Sequence, residues 1–314
     1  MNKPSNLAIW AGLITVYIVW GSTYLAIRFA IETIPPFLMA GARFTIAGLI
    51  LYTWRRLAGD PRPCRREWIS AGIVGLLLLL VGNGGVTWAE QTVNSGIVAL
   101  LIGTVPLWVV LVDALRPGGR WPGWQGMAGV LLGVGGIFIL VNPWGAGSSV
   151  RLDLVSTIVV LLAAASWAIG SVYSHSARLP ASPLMGTGLE MLVGGGALLL
   201  LGTFTGEWSQ LSWAAISTKS ILGLAYLIVF GSLIGYASYT WLLRVAPTSL
   251  VSTYAYVNPL IAILMGNLLA QEPVTPQVIL AATAIIGAVV LINLAHAPQA
   301  KLEPAFAVVE TNCD

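Results

Sequence analysis

Charged residues, cysteines and histidines are all scarce in this sequence. Charged residues make up 9% of the 314 residues, whereas about 25% is usual in soluble globular proteins, so an ordinary soluble enzyme and a disordered chain are both excluded. The two cysteines, Cys64 and Cys313, and the two histidines are too few for a disulfide framework or a rich metal site. The HExxH and GxSG patterns of hydrolases are also absent from the sequence. We therefore expect no catalytic residue, no metal and no cofactor.

Hydrophobic residues dominate what remains. They make up 57% of the chain, and the mean hydropathy is +0.86. A helix that crosses a bilayer needs about 20 apolar residues. Ten stretches qualify, which we number as spans 1 to 10: 7–28, 37–54, 69–88, 95–115, 124–142, 154–174, 184–204, 220–242, 249–270 and 276–295. The sequence therefore predicts an all-α integral membrane protein with ten transmembrane helices.

The positive charges fall mainly on one side of such a bundle. With a cytoplasmic N-terminus, eleven of them lie on cytoplasmic segments: Lys3, Arg55, Arg56, Arg62, Arg65, Arg66, Arg116, Arg120, Arg178, Arg244 and Lys301. Three lie on the other side, Arg28, Arg151 and Lys219, and Arg43 inside a span completes the 15. Because cytoplasmic loops of membrane proteins are rich in Lys and Arg, we predict a multi-pass protein of the cytoplasmic (inner) membrane with both termini in the cytoplasm.

The two halves of the chain resemble each other. Identical residues recur at an offset of 153 or 147: Gly82 with Gly235, Thr87 with Thr240, Trp88 with Trp241, Pro106 with Pro259, Trp20 with Trp167 and Pro36 with Pro183. Because five spans per half is an odd number, the second half must enter the membrane from the opposite side, as in many secondary transporters. We predict an inverted 5+5 repeat around a central cavity, with repeats at 1–147 and 148–297 and a disordered cytoplasmic tail at 298–314.

Polar and aromatic side chains within the spans are the candidates for substrate binding. Such groups need partners or water in hydrocarbon; a hydrated cavity explains several together, whereas interhelical hydrogen bonds explain any one of them. Tyr254 and Asn258 are four residues apart and share a helix face. Trp20 and Trp167 lie deep in their spans, where core packing is the alternative. We predict one cavity near the midplane, lined by Trp20, Asn83, Trp167, Tyr236, Tyr239, Tyr254 and Asn258.

Two prolines occupy equivalent positions within spans 4 and 9. Proline lacks the backbone N–H and clashes with the preceding turn, so Pro106 and Pro259 should kink their helices and free the carbonyls near Ile102 and Ala255. We interpret the pair as hinges or broken helices that border the cavity. The alternative is a static packing kink in each helix.

Arg43 in span 2 and Glu190 in span 7 are ionisable residues inside spans and are repeat partners at the offset of 147. A charge within the membrane indicates a functional site by default, and snorkelling or a fixed hydrogen bond is the alternative. The two spans begin on opposite sides, so each residue lies about 9 Å inside its own boundary. About 12 Å then separates their levels in a core about 30 Å thick. We predict two separate sites rather than one salt bridge, with Glu190 exchanging a proton, meeting a substrate amine, or serving as a structural carboxyl.

Three segments carry a resemblance to a known family. They are VWGSTYLAIRFAIETIPPFLMAGARF (19–44), WAEQTVNSGIVALLIGTVPLWV (88–109) and RVAPTSLVSTYAYVNPLIAIL (244–264). Because of these segments, the chain resembles the ten-span EamA family of the drug/metabolite transporter (DMT) superfamily over about residues 7–295. It is similar to bacterial amino-acid exporters of the YddG type. The resemblance implies alternating access, with spans 1–4 and 6–9 around the cavity and spans 5 and 10 at the periphery.

The expected function is therefore the export of amino acids or related small metabolites. Export of other small molecules, such as drugs, nucleosides or polyamines, is the nearest alternative. A channel would usually have a ring of charges or carbonyls along its pore, and a membrane-embedded enzyme would need a nucleophile that the sequence does not offer. The expected partners are a small-molecule substrate and the lipid bilayer, without nucleic acid, and we expect a monomer.

Overall fold

The structure, a computed structural model, describes residues 5–115, 121–141, 153–174, 176–246, 248–251 and 253–296. Throughout these ranges the chain forms helices joined by short connections. Six spans are single helices: span 1 Asn6–Ala30, span 2 Pro36–Leu57, span 5 Trp124–Val141, span 6 Leu154–Ser174, span 7 Pro183–Phe204 and span 10 Pro276–His296. The predicted tail at 298–314 and the repeat boundary at 147/148 lie outside the described residues.

Spans 3 and 8 each change helix type midway. Span 3 consists of an α-helix Arg65–Gly75, a π-helix Leu76–Asn83 and an α-helix Gly84–Ala89. Span 8 likewise runs through Thr218–Tyr226, a π-helix Leu227–Ile234 and Gly235–Val245. The π segments occupy nearly the same place in the two repeats. A π-helical turn rotates the following residues about the helix axis and is frequent at functional sites.

Spans 4 and 9 are interrupted rather than simply kinked. Span 4 comprises Ser95–Ile102 and Val105–Leu115, and span 9 comprises Thr248–Val251 and Tyr254–Ala270. Pro106 therefore lies in the first turn of a new helix, where a missing N–H costs little, and the chain breaks just before it. Pro259 lies inside its helix, and the break in span 9 comes about one turn earlier relative to the proline. The two prolines thus differ in their local setting, one at the start of a helix and the other inside one.

The packing follows the repeat. Span 2 packs along span 7, span 5 along span 10, and the first half of span 4 against span 9, so that repeat partners contact each other. Eight of the described helical segments are long and apolar enough to cross a membrane, and the apolar helices Tyr254–Ala270 and Pro276–Ile292 are shorter. Large apolar side chains such as Leu131 and Leu268 are more than 60% exposed on the outer surface. The predicted all-α membrane bundle is confirmed.

Carboxylates from the connections cap helices of other spans. We call the end of the bundle where span 1 begins the N-terminal face, and the other end the opposite face. At the opposite face Glu207 accepts hydrogen bonds from the amides of Phe37 and Leu38, at 3.2 and 2.9 Å, where span 2 begins. Its repeat partner Asp60 lies within hydrogen-bonding reach of Ser182, the N-cap of span 7, at the N-terminal face. Hydrogen bonds from the Arg55 side chain hold the pKa of Asp60 below its ordinary value.

A third carboxylate, Glu272, caps the start of span 4 from the end of span 9. Its two oxygens accept hydrogen bonds from the amides of Ser95 and Gly96, at 2.9 and 3.1 Å. Helix N-termini carry unsatisfied N–H groups and a partial positive charge, both of which favour a carboxylate. This contact ties the two interrupted spans together at the opposite face.

We expect Glu272→Ala to lower the free energy of unfolding by about 1–2 kcal/mol, because two buried amides lose a charged acceptor. The measurement is thermal or SDS-induced unfolding of the purified protein in micelles. Glu32→Ala is the matched control on the same face, since the Glu32 ion pair with Lys219 is exposed and worth less than about 1 kcal/mol. Equal stability of the two variants would contradict the capping role.

Candidate functional site

A cavity of about 330 Å³ lies among spans 1, 2, 3, 4, 6, 8, 9 and 10. All seven side chains predicted for the substrate site line it: Trp20, Asn83, Trp167, Tyr236, Tyr239, Tyr254 and Asn258. Pro106, Pro259 and Arg43 line it as well, whereas Glu190 does not. Most of the remaining lining is aliphatic, and among the described residues the one charged group in the lining is Arg43. The cavity is thus large enough for a small organic solute and mostly apolar.

The cavity extends towards the N-terminal face. Its lining includes Val172, two residues before span 6 ends, together with Val251 and Ile292 near the same face. In the other direction the lining reaches Ile27, Val86 and Ala99, each within four residues of the opposite-face end of its helix. Beyond them the apolar side chains around Val98, which is fully buried, pack into one hydrophobic cluster. The described residues therefore close the cavity towards the opposite face.

Four aromatic rings form a cluster on one wall. The Trp20 ring lies 5.5 Å from Tyr236, 5.0 Å from Tyr239 and 5.3 Å from Tyr254, measured between ring centroids. Tyr239 and Tyr254 also meet edge to face at 5.8 Å. Contacts of this geometry stabilise aromatic pairs beyond the area that they bury. The cluster joins spans 1, 8 and 9 and gives the cavity a rigid aromatic wall.

The π segment of span 8 and the glycines around it position Trp20. The Trp20 Nε1–H donates to the carbonyl oxygen of Gly231, at 3.3 Å. A Cβ atom at Gly235 would collide with the same indole nitrogen, so only glycine leaves room for the ring there. Gly231 and Gly235 therefore admit side chains that line the cavity.

Arg43 is 5% exposed and reaches the cavity from span 2. Its Nε–H donates to the hydroxyl of Ser232 at 2.9 Å, and the guanidinium carbon lies 4.6 Å from the centroid of the Phe44 ring. A Cβ atom at Gly231 would lie 3.0 Å from Arg43 Nη2, so this glycine also makes space for the guanidinium. The π segment of span 8 thus supplies contacts to both Arg43 and Trp20.

Asn83 and Trp167 lie on the wall formed by spans 3 and 6. Asn83 ends the π segment of span 3, and its amide nitrogen is 3.5 Å from the carbonyl oxygen of Leu78. The Trp167 ring packs over Gly82, where a Cβ atom would approach it to 3.1 Å. Trp167 therefore contacts span 3 rather than its repeat partner Trp20. The two tryptophans occupy unlike surroundings despite their equivalent positions in the repeats.

Asn258 is 6% exposed and connects span 9 to span 1. In the orientation that satisfies its side chain, the amide donates to the carbonyl oxygens of Tyr17 and Tyr254, each at 3.2 Å. The hydroxyls of Tyr17 and Thr253 also form a hydrogen bond between the same spans. Asn258 consequently both lines the cavity and holds two of its walls together.

Glu190 lies outside the cavity lining, on the span 7 face towards span 3. Its carbonyl oxygen is in close contact with Gly75, and its carboxyl group is near enough to Tyr236 to interact with it electrostatically. Tyr236 interacts in the same way with Arg43. Within the described residues, Arg43 and Glu190 form no ion pair with each other.

The sequence did not single out three further residues that line the cavity or interact electrostatically with Arg43. Thr23 and Tyr24 line the cavity from span 1. Glu90, at the end of span 3, is fully buried, its two carboxyl oxygens have no hydrogen-bond partner, and its backbone carbonyl accepts a hydrogen bond from Arg28. Spacing on the helix could have pointed to Tyr24, which is four residues after Trp20 and so on the same face. Nothing in the sequence distinguishes Glu90 from an interfacial carboxylate.

The chain matches known transporters over most of its length. The model of the EamA-like transporter family matches residues 7–142 and again residues 154–294. The uncharacterized inner membrane transporter YedA of Escherichia coli (strain K12) is 39% identical over 300 residues, which cover 94% of this chain and 93% of YedA. A chloroplastic WAT1-related protein of Arabidopsis thaliana is 27% identical over 293 residues, covering 90% of this chain and 69% of that protein. One crystal structure superposes with a TM-score of 0.61 at 22% identity, over 94% of this chain and 100% of that chain, which shows likeness of fold alone.

Proposed function

Because the chain belongs to the EamA-like transporter family, and is thus a multi-pass membrane transporter, we propose that it exports amino acids or related small metabolites through the cavity by alternating access. We place it in the inner membrane, the location named for its Escherichia coli relative. The family assignment favours a transporter over an enzyme.

The cavity carries this proposal. Its volume, about 330 Å³, falls within the range of about 300–1,000 Å³ that is usual for small-molecule sites. Aromatic and aliphatic walls favour a solute with an apolar part, and the single guanidinium with a few amides and hydroxyls favours a solute with few charges. Apolar amino acids combine these properties. A repeat that surrounds a site near the middle of the bundle is typical of secondary transporters.

We assign the N-terminal face to the cytoplasm, an orientation that the distribution of Lys and Arg supports. The cavity extends towards that face and is closed towards the other. We interpret this conformation as the one that loads substrate from the cytoplasm. Glu190 could exchange a proton during the cycle, although its position outside the cavity lining favours a structural role over contact with a substrate amine.

Counterflow in proteoliposomes tests the function. Vesicles preloaded with unlabelled L-phenylalanine should take up labelled L-phenylalanine faster than protein-free vesicles, and competition by other amino acids, uridine and spermidine should rank the substrate classes. Uptake that follows an imposed voltage without acceleration by internal substrate would indicate a channel. Chemical conversion of the solute would indicate an enzyme.

Replacement of the cavity prolines should impair turnover more than folding. Pro259→Ala restores the N–H that pairs with Ala255, removes the clash of the ring with the preceding turn and improves helix propensity by up to about 3 kcal/mol. We therefore expect exchange several-fold slower without loss of thermal stability. Pro106→Ala should have a smaller effect, because Pro106 lies in a first turn. Pro183→Ala, at the first residue of span 7, is the matched control. Equal exchange rates in all three folded variants would leave the two prolines as packing features.

A further inference from the structure

We propose that the transported solute carries a carboxylate and that Arg43 binds it, with the body of the solute against the aromatic cluster of Trp20, Tyr236, Tyr239 and Tyr254. The inference rests on the proposed function, since it assigns the substrate chemistry of the same cavity. It goes beyond that function because it makes one named guanidinium the determinant of which solutes are accepted.

The first argument is that the positive charge of Arg43 is buried without a carboxylate partner among the described residues. The side chain is 5% exposed, and in the described part of the chain no carboxylate forms an ion pair with it. Within the described residues the side chain donates one hydrogen bond, from Nε, whereas a guanidinium has five N–H donors. A buried cation without a paired anion is costly. A carboxylate that enters the cavity would supply the missing partner.

The second argument is that the guanidinium is held in place before any solute arrives. Ser232 fixes Nε, the Phe44 ring lies 4.6 Å from the guanidinium carbon, and Gly231 provides the space beside Nη2. These contacts restrain one edge of the guanidinium plane. A planar group with fixed orientation can bind a carboxylate through two parallel hydrogen bonds, which is stronger and more selective than a point charge.

The third argument concerns the competing carboxylate. Glu90 interacts electrostatically with Arg43, but its oxygens form no hydrogen bond with it or with any other group in the described residues. Glu90 is fully buried beyond the closed end of the cavity and does not line it. It therefore moderates the charge of Arg43 without occupying the place where a solute carboxylate would bind.

The fourth argument is that the aromatic cluster lies next to Arg43. Tyr236 interacts electrostatically with Arg43 and contacts Trp20 edge to face. A solute bound to the guanidinium would thus have its apolar part beside the aromatic wall. Aromatic and aliphatic bodies gain most from such a wall. The chemical class is a small organic carboxylate with an apolar body, a class that includes apolar amino acids.

The test is direct binding to the full-length purified protein in detergent micelles, with four probes of similar shape: L-phenylalanine, 3-phenylpropionate, L-phenylalaninamide and 2-phenylethylamine. The two carboxylates should bind, and the amide and the amine should bind at least about tenfold more weakly. Arg43→Gln should weaken carboxylate binding by about 10- to 100-fold. Arg62→Gln, which removes an exposed arginine from the connection between spans 2 and 3, should bind all four as the original protein does.

Ser232→Ala provides a second variant in case Arg43→Gln does not fold. It removes only the group that orients the guanidinium, so we expect carboxylate affinity to fall several-fold with no change for the amide. Equal binding of acid and amide, or carboxylate binding that neither substitution weakens, would overturn the inference. So would binding of none of the four probes. Counterflow distinguishes failure of this inference from failure of the proposed function. Exchange of uridine or spermidine, with no exchange of any carboxylate, would contradict the carboxylate site but still show a transporter. If no solute is exchanged, the proposed function is contradicted as well.

Discussion

Replacing Trp20 and Trp167 together by alanine is expected to reduce counterflow to the level of protein-free vesicles. Each ring supplies about 150–250 Å² of contact surface. The two rings line the cavity from separate walls, since Trp20 packs against span 8 and Trp167 packs against span 3. Their loss would enlarge the cavity and leave the Tyr239 and Tyr254 rings without their central neighbour. The solute would then lose both its apolar contacts and its fixed position.

The matched control is Trp10→Ala, in the same helix as Trp20 but 52% exposed on the outer surface. It should transport at a rate close to that of the original protein. The transport rate of each single variant should lie between that of Trp10→Ala and that of the double variant. Trp20→Ala should be slower than Trp167→Ala, because Trp20 contacts three other rings whereas Trp167 contacts a helix backbone. Transport by a folded double variant at the original rate would show that the rings belong to the core and not to the site.

The sequence predicts the spans well because a bilayer imposes a simple requirement on composition. Ten apolar runs of about 20 residues admit few other structures, and the observed helices begin and end within a few residues of the predicted stretches. The candidate residues were also found by a simple rule, that polar and aromatic groups deep in a span need a reason to be there. All seven line the same cavity.

What the sequence could not predict depends on contacts between distant segments. The change to π-helix in spans 3 and 8 leaves no mark on the hydrophobic pattern, because those segments are apolar except for Asn83 and Ser232. Glu207 and Glu272 look like ordinary loop carboxylates until the helix that each one caps is brought beside it. The interruption of span 4 falls at Gly103 and Thr104, just before Pro106, and the proline alone does not reveal it.

A close backbone contact between spans 3 and 7 gives the prediction with the largest expected effect on folding. A Cβ atom at Gly75 would collide with the carbonyl oxygen of Glu190 and lie 3.0 Å from its carbonyl carbon. A Cβ atom at Gly194 would lie 2.7 Å from the carbonyl oxygen of Gly75. Every one of these neighbours is backbone, so no side-chain rotation relieves the contact. Small residues at helix crossings in membranes permit this kind of packing.

Gly75→Ala should therefore separate the two helices and lower the free energy of unfolding by about 1–3 kcal/mol, the usual cost of overpacking. Gly196→Ala is the matched control in span 7, because a Cβ atom there has nothing within 4 Å; helix propensity alone should make it neutral or more stable by up to about 1 kcal/mol. The measurement is unfolding in mixed micelles, together with the folded yield. Because Gly75 directly precedes the π segment that ends at Asn83, any Gly75→Ala protein that does fold should also exchange substrate more slowly. Gly75→Ala as stable as Gly196→Ala would mean that the crossing adjusts without cost, and that the register of the π segment does not depend on it.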